Sequence, residues 1–135
     1  MAATLILTIS ALALLQFSIG QWRLIWLTTA NQPLSGSLQA ATGIDNSAIG
    51  ANDFRTLLGL CDQLSPNIRK ATPWLREVTC YYRLMTQVRS LFGSLQPAMA
   101  AWASGEMKIC SRFVAVVLDH NLVIDLDRRA AARPV

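Results

Sequence analysis

The sequence predicts an all-α protein with one N-terminal transmembrane helix and a small bundle of three main helices. The run from Ala2 to Trp22 has no charged side chain, and several later segments repeat apolar residues at spacings of three and four, which is typical of amphipathic helices. Only residues 113–126 also fit a strand pattern. We therefore expect a transmembrane anchor over residues 1–30, a linker over 31–51, a helical domain over 52–126 and a polar tail over 127–135.

The N-terminal run is long enough to cross a bilayer. At about 1.5 Å per residue, residues 2–22 cover roughly 32 Å, and a hydrocarbon core is about 30 Å thick. A secretory signal peptide has a basic start and a shorter apolar stretch. The run begins without a basic side chain, so we expect a retained anchor; the alternative is cleavage near residues 28–30.

Trp22, Arg23 and Trp26 predict the membrane interface at the end of this run. Indole rings favour the headgroup level, and a long basic side chain can extend to it. Arg23 also places the C-terminal domain on the cytoplasmic side, or its stromal equivalent, by the positive-inside rule. The cysteines agree with a reducing compartment, since three widely spaced residues form no disulfide framework.

The predicted linker contains only one charged residue, Asp45, but is not strongly polar. Its apolar residues are Leu34, Leu38, Ile44 and Ile49. A freely solvated tether does not need such side chains. Two interpretations follow: a loop folded onto its own domain, which we favour, or an extended segment that lies along a partner.

The helical domain begins after Asn52, an N-cap residue. Pro66 and Pro73 each follow a hydroxyl residue and predict further helix starts. The clearest pattern predicts a helix from Pro73 to Phe92, with Gly93 at its C-terminal end. Its apolar seam has spacings of four and three: Trp74, Val78, Tyr81, Met85, Val88 and Phe92.

A third helix is predicted from Pro97, with Gly105 as a point of interruption. Residues 113–126 fit either its continuation or a β-hairpin. We favour helix, because the apolar residues keep the helical period and an isolated hairpin is only marginally stable.

A row of arginines predicts a basic outer face on the longest helix. Arg76 and Arg83 lie opposite the apolar seam, Arg89 lies beside them, and Arg69 joins the row if the helix extends back through Pro73. Such a face is either simply solvated or docks anionic headgroups or an acidic partner. Nucleic acid is disfavoured because the row has no exposed aromatic residues between its charges.

The sequence predicts no enzyme. His120 is the sole histidine, no cysteine has metal-ligand spacing to it, and no nucleotide-binding or nucleophile motif occurs. We therefore predict no catalytic residue, metal, cofactor or small-molecule substrate. His120 is expected to complement the C-terminal dipole of the third helix.

Two segments carry a resemblance to known proteins. The stretch from Cys61 to Leu84, CDQLSPNIRKATPWLREVTCYYRL, and the later CSRFVAVVLD resemble small single-span proteins encoded in cyanobacteria. The resemblance covers most of the chain and brings no established activity or site residue with it. It implies a thylakoid or plasma-membrane location, beside photosynthetic complexes.

These observations lead to three hypotheses. The first is a non-enzymatic, single-span accessory, assembly or stabilising subunit of a larger membrane complex. The second is an anchored, lipid-responsive module that docks its basic face on anionic headgroups. The third is a cleaved, exported helical protein.

Overall fold

A computed structural model describes residues 1–44, 49–64, 68–72 and 74–134, except the side chains of Arg69 and Ala71. The predicted helix-start residues Pro66 and Pro73 lie outside the described residues. The helices are α1 (Ala2–Ala30), α2 (Ser37–Thr42), α3 (Phe54–Leu64), α4 (Ile68–Ala71), α5 (Trp74–Phe92) and α6 (Pro97–Ala131). The described residues contain no strand, which confirms the all-α fold class, with α3, α5 and α6 as the three main helices of the bundle.

Helix α6 is the centre of the fold. It continues through Gly105 and through residues 113–126, so the predicted interruption and the alternative hairpin are both wrong. The helix ends at Ala131, and His120 therefore lies inside α6 rather than at its end. The predicted capping role of His120 is wrong for this reason. Helices α1, α2, α3 and α5 all pack against α6.

Helices α5 and α6 form an antiparallel hairpin. The turn begins at Gly93, where a Cβ atom would lie 2.7 Å from the carbonyl oxygen of Arg89, so this close approach requires glycine. The predicted seam of α5 is divided between two neighbours, because the buried residues are Leu75, Val78, Tyr82 and Met85. Trp74 and Tyr81 instead reach α1.

Helix α1 has an uncovered half and a packed half. The large apolar side chains from Leu5 to Phe17 are exposed, whereas Trp26 and Ala30 belong to the bundle core. Among the described residues, α1 alone is long and apolar enough to cross a membrane. It is one continuous helix, so its apolar half and its packed half have no loop between them.

Much of the predicted linker packs on the bundle. Helix α2 lies between Gly36 and Gly43, whose φ angles of 85° and 72° favour glycine. Leu38 and Ile49 are buried in the core, and Leu34 and Ile44 are half-buried against it. Residues 45–48, including Asp45, lie outside the described residues.

Two contacts fix the relative direction of α1 and α6. Arg23 contacts Glu106, and Ser35, which follows α1, contacts Asp119 farther along α6. Helices α1 and α6 therefore run in the same direction. The turn between α5 and α6 points toward the uncovered N-terminal half of α1.

Candidate functional site

An ion pair joins α1 to α6. The Arg23 guanidinium donates through Nε to Glu106 Oε2 at 3.1 Å, and its Nη2 contacts Oε1. Glu106 is only 3% exposed. A buried carboxylate needs a cation and hydrogen bonds to offset its loss of hydration. Arg23 supplies the charge from a residue 83 positions away in the chain.

Tyr81 brings α5 to the same carboxylate. Its hydroxyl donates to Glu106 Oε2 at 2.9 Å. Burial, together with this hydrogen bond, raises the pKa of Tyr81. The phenol is therefore neutral at physiological pH and remains a hydrogen-bond donor. Three helices thus meet at one buried acidic group.

Aromatic contacts extend this junction on both sides. The ring centroids of Trp22 and Trp74 are 6.0 Å apart in an edge-on arrangement, and those of Trp26 and Tyr81 are 5.3 Å apart. Trp26 is buried, while Trp22 is partly exposed. The three residues predicted at the membrane interface, Trp22, Arg23 and Trp26, therefore all contact the bundle. Their position at a membrane interface stays a prediction.

A groove of about 450 Å³ lies between α1 and α5 beside this junction. We call it the α1–α5 groove; its lining residues are Ile19, Trp22, Trp26, Arg76, Glu77, Cys80, Tyr81 and Leu84. Two of them, Trp26 and Glu77, have buried polar atoms without a hydrogen-bond partner in the described part of the chain: the indole Nε1 and the carboxylate Oε2. Such atoms are rare in folded proteins, because each costs free energy when left unpaired. Both atoms belong to groove-lining residues, and both are themselves buried from solvent.

The structure supports only part of the predicted basic row. Arg76 and Arg83 are exposed and Arg89 is half-buried, whereas the side chain of Arg69 lies outside the described residues. Helix α4 ends at Ala71, so Arg69 does not belong to the same continuous helix as the other three. Arg83 also borders a second cleft, of about 630 Å³, between α3 and α5, together with Arg55 and Asp62.

The described residues hold no group of three metal-ligating side chains. Among the cysteines, Cys61 and Cys110 are buried and Cys80 is exposed. Burial raises the pKa of the Cys110 thiol to about 12, with a further contribution from the negative charge of Glu106. Cys110 is therefore protonated and weakly nucleophilic at neutral pH.

Sequence reasoning missed Glu106, Asp119 and the pairing role of Tyr81. One signal pointed to Glu106: it ends an uncharged stretch, residues 90–105, as Arg23 ends the uncharged start of α1. Two isolated opposite charges in apolar surroundings favour pairing with each other. Asp119 gave no comparable signal, because its partners are two backbone N–H groups and one serine hydroxyl.

Compared with known proteins, the chain matches no protein-family model, no curated protein and no solved structure.

Proposed function

We propose that this chain is a non-enzymatic, membrane-anchored binding subunit that seats a segment of an integral membrane protein in the α1–α5 groove. In this proposal α1 crosses the membrane once and the bundle lies on the cytoplasmic side, or its stromal equivalent. Its role is to assemble or stabilise a larger membrane complex. The resemblance to cyanobacterial proteins makes a photosynthetic complex of the thylakoid the first partner to test.

The α1–α5 groove carries this proposal, because it has apolar walls and two of its lining residues hold polar atoms that are unpaired within the described residues. Both atoms are buried from solvent, so an occupant would pair with Trp26 Nε1 and Glu77 Oε2 only if these side chains turn toward it. The groove also has apolar walls, including Ile19 and Leu84. A partner helix with one polar group on an apolar face matches this combination, because polar contacts fix orientation and apolar contacts supply area.

The packing of α1 supports a retained anchor. Cleavage near residues 28–30 would remove Arg23 and Trp26 from the folded domain. Glu106 would then be a buried carboxylate without its cation, which costs several kcal/mol, on the order of 3–5 for a fully buried pair. Retention keeps these contacts and holds the α1–α5 groove beside the proposed span.

Photo-crosslinking tests the proposal. A benzoylphenylalanine residue replaces Leu84 in the groove or, as a control, Leu126 on the outer face of α6; the native side chains are 52% and 57% exposed. We expect position 84 alone to give a discrete adduct with an integral membrane protein in the membranes of the host cell. Equal adducts from both positions, or none, would contradict the proposal.

The identified partner must then bind through the groove. With both proteins purified in mild detergent, Leu84→Glu is expected to weaken the complex at least about ten-fold, because a charge would be buried in an apolar contact. Leu126→Glu is expected to leave the affinity unchanged. If the two variants bind equally well, the groove is not the binding site.

A second candidate function is docking on anionic lipid. Arg76 and Arg83 form no ion pair within the described residues, and Arg83 borders the cleft between α3 and α5. Anionic headgroups attract such side chains with about 1 kcal/mol each near the surface. We expect the double variant Arg76→Glu/Arg83→Glu to lose a salt-sensitive preference for anionic over neutral vesicles. A wild-type chain with no such preference would remove this candidate.

A further inference from the structure

The tip of the α5–α6 hairpin is apolar and exposed. We define the tip as residues 90–105, which include no charged side chain. Leu91 is 69% exposed and Leu95 is 75% exposed, and Phe92 and Trp102 are also exposed. Exposed apolar side chains in a contiguous, uncharged segment mark a surface that another apolar phase covers.

The tip points toward the apolar half of α1. Because α1 and α6 run in the same direction from the Arg23–Glu106 pair, the start of α6 lies on the side of the uncovered half of α1. Pro97, the first residue of α6, is about 13 Å from Glu106 along the helix at about 1.5 Å per residue. The tip therefore extends well past the ion pair toward the proposed membrane.

The length of α1 brings the tip into contact with lipid. The uncovered part of α1 before Ser18 extends for only about 24 Å, whereas a hydrocarbon core is about 30 Å thick. A span of about 20 residues of α1 thus ends near Trp22, just before the ion pair. Residues 97–105 of α6, which precede Glu106, then lie inside the membrane. None of them has a charged side chain.

We infer that the α5–α6 tip inserts end-on into the same leaflet in which α1 ends, to a depth of about 10 Å, which is the depth that the apolar faces of interfacial helices reach. Leu91, Leu95 and Trp102 contact the acyl chains. Burial of each of these large apolar side chains in lipid stabilises insertion. Arg89 and Glu106 mark the ends of the inserted segment, and the long Arg89 side chain can extend back to the headgroups.

This inference rests on the proposed membrane span but not on the proposed protein partner. Lipid is the expected occupant for two reasons. The tip lies at the same height along the α1 axis as the end of the apolar half of α1, and it has no charged side chain over its whole length. Insertion at a second point would also fix the rotation of the bundle about the α1 axis. The α1–α5 groove would then have a defined direction in the plane of the membrane.

Depth-dependent fluorescence quenching tests the insertion. The full chain carries Cys80→Ser, since the other two cysteines are buried, and one new cysteine labelled with a nitrobenzoxadiazole dye. The protein is reconstituted in phosphatidylcholine vesicles with a fraction of doxyl-labelled lipid. We expect a dye at Leu95→Cys to be quenched several-fold more by doxyl lipid than a dye at Leu126→Cys, and to resist aqueous iodide. Leu91→Cys provides a second probe if Leu95→Cys fails to fold, as judged by circular dichroism.

A third probe, Leu12→Cys in the uncovered half of α1, separates the two possible failures. A dye at position 12 that escapes doxyl quenching would overturn the proposed span itself. Quenching at position 12 but not at position 95 would overturn only the insertion of the tip. A third outcome is a dye at position 95 that neither doxyl lipid nor iodide quenches, together with disulfide-linked dimers of unlabelled Leu95→Cys. This outcome would overturn insertion and show that a second copy of the chain covers the tip.

Discussion

Replacing Arg23 with methionine is expected to lower the free energy of unfolding by about 2–4 kcal/mol, because it leaves the buried Glu106 carboxylate without its cation. The value lies below that of a fully buried pair, since the Arg23 side chain is itself partly exposed. The loss corresponds to a fall in the melting temperature on the order of 10 °C. Circular dichroism in detergent micelles measures it.

Two control variants show whether the ion pair causes this loss. Arg76→Met removes an exposed arginine that forms no ion pair within the described residues, so we expect a change below about 0.5 kcal/mol. The double variant Arg23→Met/Glu106→Leu removes both charges and is expected to recover part of the stability, because the Tyr81 hydroxyl also loses its acceptor. Equal stability of Arg23→Met and Arg76→Met would show that the pair does not hold α1 to the bundle.

Asp119→Ala is expected to release the segment that connects α1 to α3. The buried Asp119 carboxylate accepts from the backbone N–H groups of Ser35 and Leu38, at 2.9 and 3.1 Å, and from the Ser35 hydroxyl. Alanine would leave the buried N–H of Leu38 without an acceptor. We expect a loss of about 2–3 kcal/mol, with rapid proteolysis and amide exchange at residues 31–44.

The matched control for this variant is Asp127→Ala, an exposed aspartate on the same helix, which should leave proteolysis unchanged. Asp119→Asn retains one acceptor oxygen and is expected to lose less stability than alanine, about 1 kcal/mol. If Asp119→Ala and Asp127→Ala are cleaved at the same rate, Asp119 does not hold the segment.

The sequence predicted the helices better than their partners. Apolar spacing revealed α3, α5 and α6, because a helical period depends only on local residues. It could not assign the two sides of α5, since a wide apolar stripe looks the same whether one helix or two cover it. Leu75 and Tyr82 face the core while Trp74 and Tyr81 reach α1, and this division depends on long-range contacts.

The candidate site was harder to predict for the same reason. Arg23 and Trp26 were singled out from their local apolar surroundings, and a membrane interface was the local explanation. Their contacts with Glu106 and Tyr81 join distant parts of the chain. The contacts of residues 31–44 with Asp119 are likewise non-local. This segment is rich in glycine and short polar residues, so it has no apolar period from which the contacts could be predicted.

The contact between α1 and α6 has a consequence for biosynthesis. Arg23 and Glu106 are 83 residues apart, so α1 leaves the ribosome well before the α6 residues that cover its packed half. At about 5–20 residues per second, this interval is on the order of several seconds. During that time Trp26 and Ala30 are exposed apolar surface in a nascent chain. Early insertion of α1 into a bilayer would keep this surface away from other unfolded chains until α6 arrives.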